Sequence, residues 1–210
     1  MRTIVLLDAP SNLGLRPPAP GTVPGVYKLA GALREQGLLA RLGAREGGPV
    51  GAAGGEELAL STGRGQADLA DLEGLRPYLR DEDVRLFGVR DGDEDLPELR
   101  AAGIQVATVG EIRERGAGPV ARDALEGLHP PDTAGFWVHL DADVLDPSVM
   151  PAVDSPDPGG LIPDELVELL AVLARSPRCV GLNVTIYDPD LDPDGRAGAL
   201  LADLVAGAFA

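Results

Sequence analysis

Between Phe136 and Gly160 an apolar run, Phe-Trp-Val-His-Leu, leads into three carboxylates, Asp141, Asp143 and Asp146, and then into a loop rich in Pro and Gly. Carboxylates are hard oxygen donors, and together with an imidazole they suit Mn²⁺, Fe²⁺ or Zn²⁺. If the run is a strand, alternate side chains share a face, so His139, Asp141 and Asp143 project together at its carboxyl end. In open α/β sheets that end is where ligands bind. The chemistry implied is metal-assisted hydrolysis, in which an ion lowers the pKa of a bound water. Asp residues in such a spacing also cap turns, and on these residues alone that alternative stays open.

Other candidates carry less. Asp188–Gly195 reads Asp-Pro-Asp-Leu-Asp-Pro-Asp-Gly. Its Gly position, missing terminal Glu and two prolines do not match a calcium loop, so it is read as an acidic turn after a strand. Cys179 has no histidine near it in sequence and is read as a small core hydrophobe. There is no Gly-x-Ser-x-Gly elbow, and Gly63-Arg64-Gly65 lacks the lysine and spacing of a phosphate cradle. Lys28, the sole lysine, falls in a predicted helix. His129 precedes Pro130-Pro131 and is read as a surface residue.

The elements that must position the carboxylates form an alternating pattern. Strand-length apolar runs are predicted at Thr3–Leu7, Val84–Val89, Ile104–Thr108, Gly135–Leu140 and Val180–Ile186. Helical periodicity marks Gly25–Gln36, part of Val109–Leu128, Pro163–Arg175 and Arg196–Phe209. Such alternation is the signature of a parallel α/β sheet. The helix from Pro163 has good start chemistry, with Pro in the first turn and Asp164 and Glu165 at the positive end. Its Leu166, Leu169, Leu170 and Leu173 give one apolar face. Gly43–Gly55 holds six glycines in thirteen residues with no periodicity, which composition reads as a linker or flexible loop.

The chain has 210 residues, enough for one domain with a real core. No apolar stretch is long enough to span a membrane, and the N-terminus lacks the apolar region of a signal peptide. With 34 acidic against 18 basic residues the net charge is −16, which repels nucleic acid and favours cationic ligands. A single cysteine excludes an internal disulfide and fits a reducing, cytoplasmic setting.

The segment Asp141-Ala-Asp143-Val-Leu-Asp146-Pro147, followed by Pro151 and Ser155-Pro156-Asp157-Pro158-Gly159-Gly160, resembles the metal-binding signature of the arginase/agmatinase/formiminoglutamase (ureohydrolase) superfamily. The stretch Asp8–Arg16 with Pro24-Gly25 is similar to the family's first strand–loop–helix, and Gly51–Arg90 to a later segment. The resemblance implies a single domain over 1–210, a three-layer α-β-α fold with a mainly parallel central sheet. It also implies a Mn²⁺-dependent hydrolase that cleaves a C–N bond of a small cationic guanidino or amidino compound by a metal-activated hydroxide. One or two ions and homo-oligomeric assembly are implied as well. Asp141 and Asp143 would be metal ligands, His139 a further candidate, and Asp146 a residue that orients the loop.

The chain departs from the family in two places. The central Gly-Gly-Asp-His-Ser and Asp-Ala-His-x-Asp motifs are absent, and the only histidines are His129 and His139. A deletion junction near 47–51, with central sheet elements missing, is the expected cause. Where arginases place a Glu against the guanidinium, this chain has Ile186, with Asp188 as the substitute candidate for holding substrate. A full two-ion site is therefore not expected from this chain. The alternative reading is a catalytically degenerate member that serves as an interaction or regulatory subunit.

Overall fold

The computed structural model describes residues 5–6, 25–38, 41, 45–46, 57–64, 70–128 and 134–210. Among them the first strand is β1 (Val5–Leu6), followed by a 3-10 turn at Gly25–Lys28 that runs into α1 (Leu29–Glu35). Next come β2 (Arg45–Glu46), α2 (Glu57–Ser61), β3 (Arg85–Val89), α3 (Leu96–Ala101) and β4 (Gln105–Thr108). The rest comprises α4 (Val109–Arg115), α5 (Ala117–Gly127), β5 (Phe136–Asp141), α6 (Pro163–Arg175), β6 (Cys179–Thr185) and α7 (Arg196–Phe209). Among the described residues no helix is long and apolar enough to cross a membrane.

Every strand pairing is parallel, and the described strands pair two by two: β1 with β2, β3 with β4, β5 with β6. β5 and β6 run in register from Trp137 opposite Gly181 to Asp141 opposite Thr185. On β5, Val138 and Leu140 are buried while Trp137 and His139 face outward. Against the buried face lie three helices, with α6 packed between α5 and α7. The predicted stripe Leu166, Leu169, Leu170 and Leu173 is buried there with Leu201, Leu204 and Val205 of α7. Each such side chain contributes about 1.5–3 kcal/mol when fully buried.

Helix starts follow from local chemistry. Thr108 and Glu111 form a reciprocal capping box at α4: the Thr108 hydroxyl accepts from the Glu111 amide and the Glu111 carboxylate from the Thr108 amide. At α6 the Glu165 carboxylate accepts the Ile162 amide at 2.9 Å. α7 is capped from a distance, Asp192 accepting the amides of Ala197 and Gly198 and the Tyr187 hydroxyl. Burial would raise the Asp192 carboxyl, and those three donors instead bring it below the usual range.

Some expectations change. The helical stretch at Val109–Leu128 is two helices, because Gly116 sits at φ +89° and breaks it. The Gly-rich stretch read as a linker contains β2, paired with β1. The short helices α2 and α3 carry too little periodicity to be read from sequence. The proposed junction at 47–51, the block Asp8–Arg16 and His129 lie outside the described residues.

Candidate functional site

β5 ends at the point where its chemistry begins. Pairing with β6 stops at Asp141, and residues Ala142–Val144 turn into a 3-10 helix. Asp141 caps that turn, its carboxylate accepting the Asp143 amide at 3.3 Å. This corrects the sequence expectation that strand alternation carries three side chains to one face. Alternation holds for His139 and Asp141, whereas Asp143 projects from a tight turn. The capping function of an Asp-x-Asp, left open by the sequence, operates here alongside any other role.

The turn is clasped from behind by Arg90, which directly follows β3. Its guanidinium donates to the Asp143 carbonyl at 2.9 Å, the Val144 and Gly88 carbonyls at 3.3 Å and the Asp157 carbonyl at 2.7 Å. Gly88 makes the approach possible. It bulges at φ +80°, and a Cβ there would stand 2.4 Å from the Val144 side chain. Sequence reasoning passed over Arg90. Its place at the carboxyl end of a predicted strand was the available signal.

Beyond the turn, Asp146 holds the Pro/Gly loop in shape. Its carboxylate accepts the Ser148 amide at 3.0 Å and the Gly159 amide at 2.8 Å. The Ser148 hydroxyl first, then these two amides, lower its pKa to about 2. Leu145 and Leu161 bridge across the loop in parallel register, and Arg113 fastens its far end by donating to the Gly160 carbonyl at 2.9 Å. Met150, Ala152 and Val153 are buried, so the loop is part of the core.

His139 is engaged elsewhere. The Trp137 indole N–H donates to Asn183 Oδ1 at 2.7 Å, so the Asn183 amino group faces His139 Nδ1 at 2.8 Å. The other ring nitrogen, Nε2, lies 3.3 Å from Thr185 Oγ1. Both ring nitrogens therefore have a side-chain partner on β6. Asp188 is 0% exposed, and its carboxylate accepts the amides of Gly25 and Asp190 at 2.8 and 2.9 Å. It therefore staples α1's approach to the C-terminal half, with no open face toward a ligand.

A two-ion cluster needs several donors per ion, imidazoles among them. Among the described residues no three His, Cys, Asp or Glu side chains gather so as to hold a metal. At the end of β5 stand two carboxylates, Asp141 and Asp143, the first of which also accepts the amide of the second. Among the described residues the donor set does not fit a complete manganese pair.

A family model described as "Arginase family" matches residues 71–210. The arginase of Bacillus subtilis (strain 168) is 31% identical over 161 residues, covering 76% of this chain and 54% of the relative. An N(omega)-hydroxy-L-arginine amidinohydrolase of Streptomyces lavendulae is 32% identical over 155 residues, 72% of this chain and 51% of that protein. The crystal structure of Bacillus cereus arginase superposes with a TM-score of 0.83 at 21% identity, over 99% of this chain and 98% of that one. The chain spans about half the length of the curated relatives it matches.

Proposed function

The chain belongs to the arginase family, and from that premise we propose that it acts as a hydrolase on a C–N bond of a small guanidino or amidino compound. The observation that carries this reading is the end of β5. Asp141 and Asp143 stand on a turn fixed by Arg90, beside a loop shaped by Asp146. In this reading the two carboxylates are the donors that the described residues offer to an exchangeable Mn²⁺ ion. Manganese, when bound, would supply an activated water. The chain's own part is to fix the carboxylates and to attract a cationic substrate through its net charge of −16.

Ile186, buried and apolar where the resemblance puts a guanidinium-facing Glu, withholds that carboxylate from arginine and agmatine. A reducing cytoplasmic setting and homo-oligomeric assembly complete the proposal. The test is a substrate panel: arginine, agmatine, N-hydroxyarginine and formiminoglutamate, incubated with the protein in excess Mn²⁺ and assayed for urea, amine and formamide. Release from one of these supports the hydrolase. The second reading, a non-catalytic subunit, draws on the sparse donor set, and silence across the panel would favour it.

A further inference from the structure

We infer that this chain keeps no resident metal pair, and that Arg90 rather than a metal ion holds the Asp141–Asp146 turn in place. The inference rests on the hydrolase reading of the same site and adds how the site is held. In a metalloenzyme whose ligands sit on a mobile turn, the ion itself organises the backbone, and binding energy becomes folding energy. Here the backbone is already organised by a cation belonging to the chain. Arg90 is fixed at the end of β3, and its fork donates to the carbonyls of Gly88, Asp143, Val144 and Asp157. Its Nε lies 3.8 Å from the Asp157 carboxylate, adding charge attraction on the loop side.

The turn is braced independently at three further points. Asp141 accepts the Asp143 amide, Asp146 accepts those of Ser148 and Gly159, and across the loop Leu161 donates its amide to the Val144 carbonyl while its carbonyl accepts the Asp146 amide. None of these contacts needs an ion. The donor inventory points the same way among the described residues. Two histidines are present, and His139 spends both ring nitrogens on Asn183 and Thr185. The other imidazole, His129, lies outside the described residues, and among the described residues no three His, Cys, Asp or Glu side chains gather, against the several donors that two ions require. An ion that visits Asp141 and Asp143 is therefore exchangeable.

The experiment uses manganese alone as the probe. The full chain is loaded with Mn²⁺, desalted and analysed for metal, and its thermal midpoint is read with and without about 100 µM Mn²⁺, a level at which a tightly held pair would raise it by several degrees. The expected result is no retained ion and an unmoved midpoint, the same for Asp141→Asn. Arg90→Gln should lose several degrees whether or not Mn²⁺ is added. If that variant does not fold, Arg90→Lys, which keeps the charge but not the fork, should show the smaller loss. Retention of Mn²⁺ by the wild type that Asp141→Asn abolishes would overturn the inference, as would an Arg90→Gln midpoint equal to wild type. Retained metal would leave the hydrolase reading standing. An inactive protein without retained metal would sink that reading and leave this inference intact.

Discussion

The Asp146 carboxylate, brought to about 2 by the Ser148 hydroxyl and the amides of Ser148 and Gly159, ties the order of the loop to pH. Its folded pKa lies below its unfolded value of about 3.9, so its contribution is fully present above pH ~4 and is lost as pH falls toward 2. Thermal midpoints measured across that window should fall in the wild type, and the fall should be shallower in Asp146→Asn. An identical profile in the variant would show that Asp146 does not govern the loop. The same scale explains why the sequence misplaced one side chain and misjudged another. Asp143 leaves the strand because Asp141 caps a 3-10 turn, a choice between pleat and turn that alternation cannot make. His139 looked like a donor because its partners, Asn183 and Thr185, lie on a strand whose register is invisible until β5 and β6 pair.

Among the elements, β3 to β6 were legible as apolar runs and α6 and α7 by their clean helical periodicity, whereas the two-residue β2 and the break at Gly116 were not. The burial of Leu166, Leu169, Leu170 and Leu173 follows directly from their spacing. What joins the elements was not legible, since it depends on residues far apart in sequence. Asp192 illustrates this. It looks like part of an acidic turn, yet it caps α7 and accepts the hydroxyl of the buried Tyr187. Burial, and then the Asp192 carboxylate, push the tyrosine well above its ordinary range. Asp192→Ala should therefore cost about 1–3 kcal/mol, read from urea denaturation, by stripping the α7 amides and orphaning a buried hydroxyl. A loss no larger than that of Asp194→Ala, at an exposed neighbour, would show that the cap carries no weight.

At the scale of the molecule, family membership rests on an ordered match over residues 71–210, while the chain spans about half the length of its curated relatives. The net charge of −16 acts over the whole surface. Encounter with a cationic substrate should weaken as the ionic strength rises from about 0.05 M to about 0.5 M, so kcat/KM should fall while kcat changes little. An unchanged kcat/KM would remove electrostatic steering from the account. The central claim is that Asp141 and Asp143 serve C–N hydrolysis in this chain. It is tested most directly by product release from the guanidino and amidino panel in excess Mn²⁺, comparing wild type with a folded Asp141→Ala. The account predicts Mn²⁺-dependent turnover that disappears on desalting, returns when Mn²⁺ is restored, and is abolished by the substitution. Turnover that survives in Asp141→Ala, or none from the wild type on any compound, would contradict it.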